Sequence, residues 1–435
     1  MHRIGIRRED KNLFERRVPL TPRGISTLIA DHGIPFTVQP APRRIFSDEE
    51  YRAAGASLAE DVDDCSVVLG VKEIPESWLE PGRVYVYFSH TIKGQPANMP
   101  MLRRLMELGC TLLDYELIVD EQGQRQVFFG RHAGLAGMID TLWALGQRLA
   151  QREGIETPLG GLRQAFGYDS LDRAEEAIRT AGARLRQDGI PEPLAPLVVG
   201  FAGYGNVSVG AQQIYDLLDP VELAPEELAD IDPRDRSRCY KVVFREEHLV
   251  ERRRGTFALQ HYYDHPDEYR PVFAERHLPW LTVLVNCIYW SPRFPRLVTL
   301  DELQALYAAS PRLRVIGDIS CDIDGAIEAT VKATEPDRPV FVYDLDRREA
   351  LDGVAGRGPV ILAVDNLPAE LPRDASEWFS RSLAPLVPAL AAARFDAASL
   401  DETGLPDALR RAVIVYRGAL TPDFRRLEEP LARHA

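Results

Sequence analysis

The amino-acid sequence predicts an α/β protein of two domains, each built on a parallel sheet. Three observations carry this. Its 435 residues exceed what one ordinary domain of roughly 100–200 residues holds. Apolar runs of strand length alternate with helical stretches in two separate series, a pattern of parallel sheets covered by helices on both faces. One long helical stretch, 133–149, parts the two series.

The first series opens with Ile4, Gly5 and Ile6 as a short strand. Thr21 then reads as an N-cap with Pro22 at the first helical position, and Gly33 closes that helix. Residues 36–38 form the next strand, and Ser47 with Glu50 makes a capping box for a second helix. The runs 65–71 and 84–88 have strand length; the second ends at Ser89 and His90. Leu112 and Leu113 begin a further strand that ends near 114–116. In the stretch 133–149, Leu135, Ile139, Leu142, Trp143 and Leu145 are apolar, and Gly134 and Gly137 allow close backbone packing. The second series runs from Leu197 to about Val364, with an acidic, solvated excursion at 225–235 and an exposed basic turn at 252–254. The expected domains are 1–131, completed by about 366–435, and 132–365. The segments 160–186 and 407–435 carry no usable signal.

Composition excludes several classes. Fifty-two Lys and Arg against 66 Asp and Glu leave a net charge of −14, which argues against binding nucleic acid through general charge. No apolar run approaches the roughly 18–20 residues of a bilayer span, so no membrane partner is expected. The N-terminus MHRIGIRRED lacks a signal-peptide core, so a cytoplasmic location is expected. Cys65, Cys110, Cys239, Cys287 and Cys321 lie far apart without zinc-like spacing, so buried thiols and no metal are expected.

The clearest local motif is LVVGFAGYGNVSVGA at 197–211. An apolar strand runs into Gly203-Tyr204-Gly205, and a helix follows through Ala211, Ile214, Tyr215 and Leu218. In a Rossmann-like dinucleotide fold the first glycine makes the tight turn, and the second lets backbone N–H groups approach a pyrophosphate at the helix N-terminus. Ser208 stands where a third glycine is usual, and Gly210 follows two residues later. Glu222, 19 residues after Gly203, falls about where an acid holds the adenosine ribose hydroxyls of NAD; an exposed surface acid is the other reading.

Four charged groups punctuate the first series: Glu15, Arg16 and Arg17 before a helix, Lys72 and Glu73 after a strand, His90 and Lys93 after the next, and Glu116 and Arg125 after a third. Ligands of open α/β sheets bind beyond the carboxyl ends of strands. A Lys and a His there suit proton transfer, and arginines suit bidentate capture of carboxylates. Solvated loops are the plainer alternative.

These residues carry a family resemblance. The stretches IGIRRED, FERRVPLTP, GVKEIP, YFSHTIKGQ, LLDYELIVDEQGQR, FGRHAGLAGMID, GYGNVSVGA, VLVNCIYW, GDISCDIDGAIE and VDNLPAELPRDASEWF span residues 4–379. With them the chain resembles saccharopine dehydrogenases of the lysine-forming type, in particular the lysine–ketoglutarate reductase domain of bifunctional lysine-degradation enzymes. The wider group includes alanine dehydrogenase and the soluble domain of transhydrogenase. The second catalytic domain of the bifunctional enzymes is not expected in this chain.

The resemblance implies two Rossmann-like domains with the active site in the cleft between them. It implies condensation of the lysine ε-amine with 2-oxoglutarate and reduction of the imine to saccharopine. By motif, Lys72 and His90 are the implied acid–base pair, Glu73 and Glu116 their tuning neighbours, and Arg17, Arg125 and Lys93 the carboxylate binders. Gly203, Gly205, Asn206 and Val207 are the implied cofactor loop, with Asp318, Asp365 and Asn366 near nicotinamide and substrate. The cofactor is NAD(H) or NADP(H), and Glu222 favours NAD. A related amino-acid dehydrogenase of the alanine type and an inactive nucleotide-binding regulator are the competing readings.

Overall fold

The computed structural model describes residues 1–309 and 311–433. The chain divides into two compact units, Met1–Phe129 with Pro372–Ala435, and Gly130–Leu371. The segment 366–371 therefore lies in the second unit, and the long helix begins that unit at Gly130.

The first unit holds a sheet whose strands β1 (Ile4–Ile6), β2 (Phe36–Val38), β3 (Ser57–Leu58), β4 (Val67–Leu69), β5 (Val84–Tyr87) and β6 (Thr111–Asp114) run parallel in the order β6-β5-β4-β1-β2-β3. Beyond β6 the sheet is extended by an antiparallel hairpin, Val413–Tyr416 and Ala419–Leu420, from the tail that gave no sequence signal. Helix α1 (Pro22–His32) starts as its sequence requires: the Thr21 hydroxyl accepts from the Gly24 N–H at 3.2 Å, and Gly33 closes it at φ +65°. The Ser47–Glu50 capping box opens α2 (Asp48–Ala53). The late helix Pro372–Leu383 belongs to this unit because Ser376 and Ser380, both buried, accept from the N–H groups of Val18 and Thr21 at 3.0 and 3.1 Å. A β-carbon on Gly24 would stand 2.5 Å from the Ser380 hydroxyl, so glycine is what permits this seat.

In the second unit the strands are β7 (Leu197–Ala202), β8 (Val221–Leu223), β9 (Cys239–Phe244), β12 (Val283–Asn286), β13 (Val315–Asp318), β14 (Val340–Asp344), β15 (Glu349–Asp352) and β16 (Val360–Leu362). The sheet runs β8-β9-β7-β12-β13-β16-β14-β15, parallel from β8 to β16, with β14 and β15 antiparallel at the end. A separate ribbon of β10 (Val250–Arg252) and β11 (Tyr269–Pro271) is antiparallel; the basic run leaves it with Arg253 and Arg254 exposed. Helix α3 (Gly130–Arg148) interlocks with α4 (Asn206–Tyr215) through two glycines. A β-carbon on Gly134 would come 1.9 Å from the Val207 carbonyl oxygen, and one on Gly210 would come 2.1 Å from that of Arg131. Gly210 thus provides the close packing expected of a third fingerprint glycine, while Ser208 is buried and accepts from the Gln212 amide at 2.9 Å. Among the described residues no helix is long and apolar enough to cross a membrane. All five cysteines are unpaired.

Candidate active site

β4 and β5 are parallel neighbours, Leu69 opposite Val86, so the turns that follow them leave the sheet from the same edge. Lys72 and His90 stand in those two turns, 18 residues apart in sequence. His90 adopts a left-handed φ of +49°, uncommon without a glycine, and its carbonyl accepts from the Asn98 amide at 3.0 Å. Its Nδ1 lies 2.7 Å from Glu73 Oε1, and Glu73 Oε2 lies 2.9 Å from the Lys11 ammonium. Burial pushes the Glu73 carboxyl up, but the hydrogen bond and charge of His90, with help from Lys11, hold it at about 2. An ionised Glu73 can only accept, so Nδ1 carries the hydrogen of this bond, and Nε2 is the ring nitrogen at which a proton can be exchanged. Asp114, buried at the end of β6, binds this turn to the next: its Oδ2 accepts from the Ser89 N–H at 2.9 Å and its Oδ1 from the Glu116 N–H at 2.8 Å.

Other expected residues of this edge are arranged differently. Arg17 is buried over the Phe129 ring, its Nε and Nη2 bonded to Glu15 at 2.8 and 2.6 Å. That face of its guanidinium is taken by Glu15, which stands only two residues away, rather than presented to a carboxylate. Glu116 pairs with Arg125 instead of with the acid–base residues. Lys93 is exposed beyond β5. Two contributors were missed in the sequence. One is Asp114; the other is Glu9, whose carboxylate accepts from the N–H groups of Val71 and Lys72.

In the second unit the ends of β7, β12 and β13 are level, with Asn286 opposite both Ala202 and Asp318. Gly203 follows β7 at φ +98°, and a β-carbon there would meet Cys287 and Ile288 at 3.1–3.3 Å. Gly205 is different. Its φ of −77° suits any residue, and a β-carbon on it would meet nothing within 4 Å. Neither strain nor protein packing explains a glycine there; an open approach to the N-terminus of α4, where Asn206 and Val207 begin the helix, does. The loop therefore fits a dinucleotide pyrophosphate.

Asp318 is buried rather than lining a surface. It accepts from the Asn286 amide at 2.8 Å and the Thr330 hydroxyl at 2.6 Å, and burial raises it to about 6 against those bonds. Beyond β16, Asp365 is exposed and Asn366 buried. Glu222 is the main correction. It does not end the strand beside β7; it lies mid-strand on the edge strand β8, opposite Lys241, and pairs with that lysine at 2.9 Å. The strand beside β7 is β9, which carries Phe244 level with Ala202 and is followed by Arg245 and Glu246. Arg245 lies over the Tyr204 ring, 4.6 Å from its centroid, and Glu246 accepts from the Tyr263 hydroxyl at 2.7 Å.

Together these features define a two-unit α/β protein with an open glycine loop at a helix N-terminus in one unit and a Lys11–Glu73–His90 cluster in the other. The chain belongs to the alanine dehydrogenase/PNT family: the N-terminal domain of that family matches residues 5–136 and the C-terminal domain residues 282–423. It is 38% identical over 440 residues to an alpha-aminoadipic semialdehyde synthase of Arabidopsis thaliana, a match covering 96% of this chain and 40% of that protein. The Bos taurus mitochondrial protein of the same name is 36% identical, covering 98% and 47%. The chain thus spans less than half the length of these two relatives. A saccharopine dehydrogenase [NAD(+), L-lysine-forming] of Neurospora crassa is 29% identical, covering 88% of this chain and 89% of that one. Among solved structures, an L-alanine dehydrogenase shares the fold over 99% of both chains with a TM-score of 0.63 at 20% identity. A transhydrogenase from Sinorhizobium meliloti shares it over 96% of this chain and 99% of that one, with a TM-score of 0.57 at 15% identity.

Proposed function

We propose that the protein is an oxidoreductase of CH–NH chemistry that interconverts lysine plus 2-oxoglutarate with saccharopine, in the manner of a lysine-forming saccharopine dehydrogenase or lysine–ketoglutarate reductase. The observation that carries this is the cluster in which Glu73, ionised and next to Lys72 in the chain, fixes His90 Nδ1 at 2.7 Å. The relatives named above supply the substrate class.

Imine formation needs the lysine ε-ammonium to lose a proton, the amine to attack the ketone carbon, and the carbinolamine oxygen to gain a proton and leave as water. His90 moves a proton at Nε2, accepting it when neutral and donating it when charged, while Glu73 holds the ring through Nδ1. The Lys72 amine is the second proton carrier on the same edge, so one group takes a proton while the other gives one. Arg125 and Lys93, exposed beyond β6 and β5, are the cations in this reading for the carboxylates of a substrate pair that has three in its product. Glu116 moderates Arg125, and Arg17 acts through Glu15 as a rigid support. The nicotinamide, when bound, supplies hydride to the imine carbon. Gly203, Gly205, Asn206 and Val207 would hold its pyrophosphate, with Asp365 and Asn366 beyond β16 on the same strand edge, while the buried Asp318 braces the end of β12 through Asn286.

The reading takes NADP(H) as the tighter cofactor. The acid that favoured NAD, Glu222, is occupied by Lys241 on the edge strand. The residue just past the strand beside β7 is a cation, Arg245, suited to a 2′-phosphate. Glu246 would favour NAD if it turned to a ribose diol, but the Tyr263 hydroxyl holds it. A cytoplasmic, reducing setting belongs to the same reading, and five unpaired cysteines support it. The test is absorbance at 340 nm with either reduced nicotinamide and a substrate panel. Oxidation that depends on both lysine and 2-oxoglutarate supports the proposal; oxidation with pyruvate and ammonia alone would replace it by an alanine-type activity.

A further inference from the structure

The turn that carries Lys72 and Glu73 is gripped from the segment that follows β1. β1 and β4 are parallel neighbours, Ile6 opposite Leu69, and the Arg7 N–H donates to the Leu69 carbonyl at 3.0 Å. Two residues further on, Glu9 reaches under the turn. Its Oε1 accepts from the Val71 N–H at 2.7 Å and its Oε2 from the Lys72 N–H at 3.0 Å. Two residues beyond that, Lys11 holds the Glu73 side chain at 2.9 Å. One short segment thus fixes the backbone under Lys72 and the side chain that orients His90.

We propose that Glu9 is a positioning residue for the acid–base pair: by capping two adjacent amides it sets the turn that presents Lys72 and aims Glu73 at His90. This rests on the reading of Lys72 and His90 as the proton carriers. Only a group with two acceptor oxygens caps both amides. An amide side chain of the same length offers one oxygen, and its NH₂ would face the other N–H donor-to-donor.

The capping is also proton-sensitive. Burial and the nearby Glu15 push the Glu9 carboxyl up to about 7, against the two amide bonds and the charge of Arg7. The charged or titratable groups that face it are Arg7 and Glu15 from the segments after β1 and Tyr115 from the turn after β6; Lys72, in the turn it caps, meets it through the main-chain N–H. A protonated Glu9 loses one of its two acceptors, so the turn loosens below about pH 7.

The experiment compares the full chain with Glu9→Gln and Glu9→Asp. Hydrogen exchange at the Val71 and Lys72 amides should quicken about tenfold in Glu9→Gln, with exchange in β1 and α1 unchanged. Turnover with lysine and 2-oxoglutarate should fall about 10- to 100-fold, the scale of a misplaced catalytic group. The acid limb of the pH–rate profile near 7 should disappear in Glu9→Gln and survive in the charged Glu9→Asp. Adding Glu9→Gln to Lys72→Met should cost clearly less than Glu9→Gln costs alone, because part of its effect runs through Lys72. Unchanged exchange at the turn, or a full additional loss in the double variant, would overturn the proposal. If the wild type lacks activity with lysine and 2-oxoglutarate, the functional reading fails, and the exchange comparison still decides whether Glu9 holds the turn. If Glu9→Gln does not fold, Glu9→Asp decides: its shorter side chain should quicken exchange at the Val71 and Lys72 amides while keeping the acid limb, and wild-type exchange at both amides would overturn the proposal.

Discussion

The carboxyl edges of the two sheets are built by opposite means. In the first unit the edge is made of charged side chains in pairs: Glu73 with His90 and Lys11, Glu15 with Arg17, Glu116 with Arg125. In the second it is made of backbone and small residues: Gly203 at a turn, Gly205 facing open space, and a buried Asp318 with both oxygens bonded. Paired charges set protonation states, which is what acid–base work on an amine and a ketone requires. Bare backbone admits a large anionic group without supplying a proton. The difference teaches that chemistry and cofactor binding can be altered separately.

The largest expected effect breaks the first edge alone. Lys72→Met and His90→Gln should each slow turnover by roughly 10²–10⁴-fold, the usual scale of general acid–base catalysis. Nucleotide affinity, followed by nicotinamide fluorescence, should stay within a few-fold. Gly205→Val breaks the second edge alone. Its branched side chain fills the space that a β-carbon now leaves open, and nucleotide affinity should weaken by about 100-fold, more than 2 kcal/mol. A valine variant that binds nucleotide normally would remove the loop from the site.

The two units should also respond oppositely to pH. Glu73 is held at about 2, so its contribution is complete above the ordinary glutamate value of about 4.3 and is lost as pH falls through about 2. In the second unit Asp140, on α3, and Glu370 are both buried. Burial raises Asp140 to about 6, and burial plus the charge of Asp140 raises Glu370 further. Their contribution is complete below the ordinary aspartate value of about 3.9 and is lost as pH rises through about 6. Asp140→Asn should therefore raise the melting temperature at pH 8 by roughly 5 °C and change it little at pH 4. Glu73→Gln should lower it at pH 7 and approach the wild type near pH 2. The same sign of response in both variants would contradict the contrast between the units. The smallest effect concerns Arg245→Ala, which should weaken 2′,5′-ADP by about tenfold and leave 5′-ADP unchanged, as loss of one ion pair at a partly exposed site.

Much of this was legible because the signals are local. Thr21, Pro22 and Gly33 define a helix within thirteen residues, and Ser47 with Glu50 defines another's start. Lys72 and His90 were recognisable as strand-end groups, and their shared edge follows once β4 and β5 are neighbours. The misplaced Glu222 shows what local reading lacks. Distance from the glycine loop implies a strand, but not that the chain lays β8 at the edge and then returns with β9 beside β7. Glu9 meets amides 62 and 63 residues away, and Asp140 meets a carboxyl 230 residues on; nothing near either residue announces its partner. The hairpin at 413–420 is another matter. Its apolar run, Val413–Tyr416, is followed by Arg417 and Gly418 at left-handed φ, and a two-residue turn ending in glycine was available as a signal.

The most direct test of the central claim, that the cluster on the first edge joins two substrates through an imine, follows the nitrogen. Lysine labelled with ¹⁵N at the ε-position is incubated with 2-oxoglutarate and reduced nicotinamide, and the product is identified by mass spectrometry for the wild type and for Lys72→Met. The account predicts saccharopine that retains the ¹⁵N between the two carbon skeletons in the wild type and a trace of it in the variant. Glutamate or unlabelled product in the wild type, or undiminished saccharopine in Lys72→Met, would contradict it.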